Sequence, residues 1–350
     1  MNYFESYNEV ESRIIFGKPN HSVDLTIVVP TYKRKEKLIE AIESIKNQKR
    51  NSSISYQTLI VSNDPLYDIT EISDALNEDF VVYRNDENLG MVGNINRCAY
   101  LSFGKYVTYL QDDDILLPNF IEEIEKAILD TSINSFDCII PNRFYLCDKN
   151  DTSSIFGRKF IYLARIKSLL QKILSVGTIN ERYKEVNYID CSNTWFNCFG
   201  GGPTCGITFK RESLLKTNGF NTNFPYAFDF VFFIDFSKMF KVLLLNVDIS
   251  VYRMEDSASN RPEVQKDFFN GDMYLLESTI EKCKFVRKFK NEIMEFSIKN
   301  KSKETQQLIS HKEEHIFLPK YYLFRIVRFI RLMRSGFYRR EIIIDLKDID

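Results

Sequence analysis

Four times between residues 24 and 140, a short run of β-branched and aromatic residues gives way to a polar turn or helical spacing. The runs are 24–29, 57–61, 80–84 and 105–110. None alternates apolar with polar residues as a half-exposed strand would, so each reads as a strand buried on both faces. Between them Leu38, Ala41, Ile42 and Ile45 form one helical stripe, and Ile69, Ile72 and Leu76 a second. Asn88-Leu89-Gly90 then turns the chain into a third helix through Asn94, Arg97 and Ala99. This alternation predicts an α/β architecture, a parallel sheet with right-handed crossovers. Residues 24–140 are expected to form a nucleotide-binding type half, preceded by an N-terminal extension or short packed helix over 1–23.

In such a sheet ligands bind beyond the carboxyl ends of the strands, so the residues there matter most. The first strand ends at Pro30-Thr31-Tyr32, the second at Ser62-Asn63-Asp64-Pro65 and the fourth at Gln111-Asp112-Asp113-Asp114. Three neighbouring carboxylates raise one another's pKa unless a cation or hydrogen-bond donors offset their charge. Asp112, Asp113 and Asp114 are therefore candidate ligands of a hard divalent metal. A solvated acidic turn capping the helix after Pro118 has the same sequence. The first strand is not followed by G-x-G-x-x-G, and G-x-x-x-x-G-K-[ST] occurs nowhere, which argues against dehydrogenases and P-loop enzymes.

Charge and rare residues narrow the class further. With 47 basic and 48 acidic residues the net charge is -1, so no global field favours nucleic acid. Seven cysteines without a C-x-x-C pair fit a reduced, cytosolic location. Cys191, Cys198 and Cys205 are evenly spaced but lack the short pairs of a structural zinc site. His21, His311 and His315 are the only histidines, which disfavours Ser-His-Asp hydrolysis. His311 and His315 lack the glutamate of a zincin helix and read as a solvated face. Neither an apolar leader segment nor an uncharged run of the ~18 residues a spanning helix needs is visible.

Beyond Pro141 the pattern loosens: 142–160 is polar and 161–176 carries a helical stripe. Phe199-Gly200-Gly201-Gly202-Pro203 precedes a strand over 205–209, and a short helix over 211–218 ends at Gly219. An aromatic helix over 226–233 carries Asp229 near its start. That acid could cap the helix or, among aromatics, act as a base with a raised pKa. After Arg253 the chain reads as helical. Lys320 to Arg340 holds seven basic residues and no acid, with Tyr322, Ile326, Phe329, Ile330, Met333 and Phe337 on one helical side. That pattern suits an interfacial helix on an anionic membrane or a docked helix with a solvated basic face.

Taken together, strand-Pro30-Thr31-Tyr32, Ser62-Asn63-Asp64-Pro65, Glu87-Asn88-Leu89-Gly90, Gln111-Asp112-Asp113-Asp114 and Gly201-Gly202-Pro203-Thr204-Cys205-Gly206 ahead of Phe228-Asp229-Phe230 resemble glycosyltransferase family 2. The resemblance covers about residues 24–255. It implies a GT-A fold, Rossmann-like with a mostly parallel sheet flanked by helices, divided into a nucleotide-sugar half (24–140) and an acceptor half (141–255), and it leaves unassigned the C-terminal region over 256–350, which reads as helical from its own pattern. It further implies that Pro30, Thr31, Tyr32 and Arg34 line the nucleotide pocket, with Tyr32 stacking on the base. Asn63 or Asp64 would meet uracil, Asp112 the ribose or sugar, and Asn88, Gly90, Asn94, Arg97 and Arg253 the rest of the donor. Asp113, with Asp112 and Asp114 beside it, would hold Mn²⁺ or Mg²⁺, and Asp229 would be the general base.

The implied activity is inverting hexosyl transfer (EC 2.4) from a UDP-sugar to a saccharide or lipid-linked saccharide, as in bacterial capsule or lipopolysaccharide-type synthesis. A cytoplasmic enzyme, peripheral on the inner face of the membrane, would suit that chemistry, and the C-terminal helices could pair subunits as readily as meet lipid. Three departures stand out: Asn63 where paired acids are common, Gln111 where an acid is common, and no histidine after Tyr252-Arg253. Arg253 could supply the positive charge instead. A non-catalytic nucleotide-sugar binder at the membrane is the alternative. A sugar-phosphate nucleotidylyltransferase would need a glycine-rich loop after the first strand, which Pro30-Thr31-Tyr32 does not supply.

Overall fold

The computed structural model describes residues 2–49, 52–130, 135–146, 182–186 and 204–253, most of 263–274 and the backbone of 342–344. The expected helices over 161–176 and 320–340, the glycines at 200–202 and His311 and His315 lie outside the described residues. The strands are β1 Ser12–Phe16, β2 Leu25–Thr31, β3 Tyr56–Ser62, β4 Phe80–Asn85, β5 Tyr106–Tyr109, β6 Ile115–Leu116, β7 Cys138–Leu146, β8 Tyr183–Val186, β9 Ile207–Lys210, β10 Val242–Arg253 and β11 Ile342–Ile344. The helices are α1 Lys35–Lys46, α2 Gly90–Leu101, α3 Phe120–Leu129, α4 Arg211–Leu215 and α5 Phe228–Ser237. Among the described residues no helix is long and apolar enough to cross a membrane.

All the strands join one sheet, ordered β1-β4-β3-β2-β5-β9-β7-β10-β6, with β8 paired to β10 and β11 to β7. β4, β3, β2 and β5 are parallel, as the alternation predicts. β7 and β10 are parallel to each other, but β9 runs antiparallel between β5 and β7. The sheet is therefore mixed and mostly parallel. The reversal of β9 brings its N-terminal end, with Thr204, to the edge where β2, β3, β5, β7 and β10 finish.

Side-chain alternation divides the core. Leu25, Ile27 and Val29 face α1 and α3, packing on Leu38, Ala41, Ile42, Ile45, Phe120 and Ile124. On the other face Val28, Leu59, Val61 and Val107 meet α2 and α5 through Ile95, Cys98, Phe228, Phe232 and Phe236. With apolar cover on both faces, strands without polar alternation are stable.

One expectation is corrected here. In place of an α-helix there are two 3₁₀ turns, Ile69–Glu71 and Ser73–Ala75, with Ile72 between them and Leu76 ending the second. A spacing of three between Ile69 and Ile72 suits the three-residue period of that geometry. The segment 1–23, expected as an extension or a short packed helix, holds a 3₁₀ turn, Tyr3–Glu5, and a strand, β1, that adds an antiparallel edge to β4.

Candidate active site

The acidic turn after β5 sits beside the end of β2. Thr31 Oγ1 donates to Asp112 Oδ2 at 2.8 Å, and the Tyr32 N–H approaches the same oxygen at 3.4 Å. Arg34 Nη1 lies 3.5 Å from Asp112 Oδ1 and pairs directly with Asp113 Oδ2. Burial pushes the Asp112 carboxyl up to about 6, against the Thr31 hydrogen bond and the Arg34 charge that favour ionisation. Asp114 is 1 % exposed, and its Oδ1 accepts the Arg253 N–H at 3.1 Å. Burial and then the Asp113 charge push its carboxyl well above the usual range.

The three carboxylates thus differ in burial and in partners. Among the described residues no three acids, histidines or cysteines come together as a metal cage. Asp113, with 32 % of its side chain exposed, is the open member. One carboxylate with ligand phosphates and water completing the shell is a usual arrangement for Mg²⁺, so this edge fits a cation that arrives with a diphosphate.

At the ends of β3 and β4 and the start of α2 the asparagines form a buried network. Asn63, 3 % exposed, donates to Asn88 Oδ1 at 2.8 Å and to the Gly90 carbonyl at 3.1 Å. Its own oxygen accepts from the Leu89 N–H at 2.9 Å and from Asn85 at 3.2 Å. That exhausts the two donors and two acceptor sites of an amide, leaving nothing for a base. Asn94 extends the network, accepting from Asn85 and donating to the Val61 carbonyl, both at 2.9 Å. Gly90 opens α2 at φ +70°, a left-handed conformation that glycine adopts without strain.

Asp64 is partly exposed, its Oδ1 taking the Leu66 N–H at 3.1 Å and its Oδ2 3.9 Å from Lys33 Nζ. Of the two residues expected at uracil, geometry leaves Asp64 the freer. Tyr32 follows Pro30 and Thr31 with 43 % of its surface exposed, open to a stacking partner, and Lys33 Nζ lies 5.2 Å from its ring centre. Arg97 is not at this edge. Its guanidinium donates to the Tyr7 and Val10 carbonyls and to Ser12 Oγ at 2.7, 2.9 and 2.6 Å. It ties the N-terminal segment to α2.

Across the crevice, Phe228, Phe232 and Phe236 bury one line of α5, and Asp229 stands one turn before buried Phe233. Residues four apart share a helix face, so Asp229 is drawn partly under cover. Its Oδ1 accepts the Phe230 N–H at 2.7 Å, and burial pushes its carboxyl up to about 7. Phe230 is the third residue of α5, so Asp229 takes one of the free N–H groups of the first turn, while Asp267 Oδ2 accepts from Tyr226 and Ala227 just ahead of it at 2.7 and 2.8 Å.

Two further residues complete the site. Arg143, fully buried in β7, places its positive charge within reach of both Asp229 and Asp114. Tyr252, near the end of β10, has its hydroxyl held neutral by burial and by the charges of Asp114, Asp229 and Asp113. A cation inside the apolar run 138–146 was the available signal for Arg143, whereas Asp267 left none. Arg253 pairs with Glu40 on α1 and keeps buried Nε and Nη1 groups without a hydrogen-bond partner.

An acidic turn, an asparagine-bound helix start and a partly buried acid accompany an α/β fold of the GT-A class. The fold matches an S. aureus TarS fragment (residues 1–349) in complex with UDP at a TM-score of 0.52, with 14% identity, covering 90% of this chain and 89% of that one. Residues 26–198 match the model of Glycosyl transferase family 2, and through this span the chain belongs to that family. An uncharacterized glycosyltransferase of Rickettsia prowazekii is 27% identical over 214 residues, 55% of this chain and 63% of that protein. A GalNAc(5)-diNAcBac-PP-undecaprenol beta-1,3-glucosyltransferase of Campylobacter jejuni is 26% identical over 187 residues, 50% of this chain and 59% of that protein. The chain thus spans less than two thirds of either relative.

Proposed function

We propose that the protein is an inverting, metal-dependent glycosyltransferase that moves a sugar from a UDP-sugar to a saccharide or lipid-linked saccharide. One observation carries this reading. Asp229, raised to about 7, and the open carboxylate Asp113 both lie within electrostatic reach of Tyr252. A carboxyl titrating near neutrality is matched to general-base work at the pH of the cytosol.

In the reaction Asp229 takes the proton of the acceptor hydroxyl as that oxygen bonds to the anomeric carbon. The bond from that carbon to the diphosphate breaks in line, and the electron pair leaves with the diphosphate. An α-linked donor would give a β-glycoside. Asp113 would hold the divalent cation, which supplies Lewis-acid stabilisation to the leaving diphosphate. Buried Arg253 donors without partners would be satisfied by the same oxyanions. Tyr32 would stack on the base and Asp64 would take its N–H, while the Asn63 network sets the loop they approach. Asp112, fixed by Thr31 and Arg34, would present the ribose contact.

A lipid-linked acceptor is the chemistry named for the Campylobacter relative, and it suits work at the inner face of a bacterial membrane. The test is hydrolysis of a panel of UDP-, GDP- and dTDP-sugars by the purified protein with Mn²⁺, Mg²⁺ or EDTA. Metal-dependent release of UDP is the expected result. Release of GDP or dTDP alone would overturn the donor assignment, and turnover unaffected by EDTA would overturn the metal.

A further inference from the structure

We propose that Asp267 is a positioning residue for Asp229, fixing the first turn of α5 so that the base carboxylate points into the crevice. This rests on Asp229 being the base. Helix starts leave N–H groups without intrahelical partners, and some acceptor must take them. The N-cap residue of α5 is Ala227, which has no side chain for the task, and Asp229 is the one acid in the first turn. Asp267, 6 % exposed, reaches in from elsewhere in the chain and takes both the Tyr226 and Ala227 N–H groups on a single oxygen. Without it, Asp229, the acid two residues after Ala227, is the carboxylate that the first turn itself offers to those amides.

The hold extends along one side of α5. A Cβ at Gly271 would come 2.8 Å from the Ala227 Cβ, so glycine sets how closely this segment seats on the first turn. Tyr274 closes the other end, its hydroxyl donating to Asp235 Oδ2 at 2.8 Å and its ring 5.6 Å from that of Phe224. Asp267, Gly271 and Tyr274 are spaced four and three apart, the repeat of one helix face. Among the described residues, Arg143 from β7 and Tyr252 from β10 are the charged and titratable groups that meet Asp229 from the sheet, and Asp267 acts on its helix from the far side. All three clasp residues lie outside the matched span 26–198.

The test uses the full chain with Asp267→Ala, Asp267→Asn and Gly271→Ala. Turnover of the unaltered protein against pH comes first, because a rate without an acid limb near 7 refutes the base reading and leaves the positioning question to a second readout. That readout is the titration of the ¹³C-labelled Asp229 carboxyl, which needs no turnover. In Asp267→Ala, Asp229 is expected to swing to the vacated amides. Its titration and the acid limb then move down together, and kcat falls about ten- to a hundredfold, the scale of an ångström-size misplacement. KM for the donor stays within about twofold, since the donor edge is untouched. Asp267→Asn keeps an acceptor and restores all three, and Gly271→Ala shifts them in the direction of the alanine variant. An unmoved Asp229 titration in Asp267→Ala, or an asparagine variant no better than alanine, overturns the proposal. A variant that merely melts earlier with its pH profile intact marks a cap and nothing more.

Discussion

The two walls of the crevice are held by opposite means. The donor wall is a polar lattice: Thr31, Arg34, Asn63, Asn85, Asn94 and Asp112 bond to one another or to nearby backbone, all within residues 31–112. The base wall is aromatic packing, with Phe220 stacked on Phe232 at 4.0 Å and Phe209 on Phe233 at 5.8 Å, fastened by one carboxylate from residue 267. A satisfied polar network permits one geometry, whereas an apolar cluster tolerates substitution that conserves volume. Under the proposed function, the difference suits a wall that meets a constant nucleotide and one that meets a variable acceptor.

The sharpest way to break that division is Asp229→Asn. Transfer should fall by ~10²–10⁴, the worth of a general base, while nucleotide affinity by calorimetry stays within about twofold. Activity surviving within tenfold would falsify the assignment of the base to this wall. Next comes Asp113→Ala, which should weaken nucleotide binding about tenfold in Mn²⁺, or ~1.4 kcal/mol, and leave it unchanged in EDTA. A loss of equal size in EDTA would mean that Asp113 contacts the nucleotide without a cation.

Asn63→Ala tests whether the donor wall is a lattice. It strands the buried Asn85 and Leu89 donors, and urea unfolding should register a loss of ~1–3 kcal/mol. A loss below about half a kcal/mol would mean the asparagines are loosely held. The smallest effect concerns stability against pH. The Asp229 carboxyl is raised from 3.8 to about 7, so the folded chain holds this proton more tightly than the unfolded chain. Its contribution to stability is full below about pH 4 and is lost as pH rises through 7. Asp229→Asn should therefore melt a few degrees above the unaltered chain at pH 8 and level with it at pH 4. No gain at pH 8 would mean the carboxylate is better solvated than its surroundings suggest.

Legibility followed sequence distance. The runs at 24–29, 57–61 and 105–110 became β2, β3 and β5 because unbroken β-branched residues admit little else when helices cover both faces. The Asp112 turn was readable for the same local reason. What its residues do was not: neighbours on a chain leaving a strand point different ways, so Asp113 opens to solvent while Asp114 is buried against Arg253. Arg97 was misread because 1–23 has no period to betray that β1 and the turn before it lie over α2. Arg143, Tyr252 and Asp267 reach the site through pairings and packing that no short stretch encodes.

The place of β9 in the sheet carries a cost in time. β5 is complete at Tyr109, yet its neighbour on one side begins at Ile207, and the two are joined through a Thr108–Thr208 hydroxyl contact of 2.7 Å. At ribosomal speeds of ~5–20 residues per second, the intervening hundred or so residues take roughly 5–20 s to appear. Throughout that interval the nascent chain shows an unpaired, apolar strand edge of the kind that recruits other chains. Yield during expression should therefore depend on how fast residues 110–210 are translated and on the chaperones present while they are.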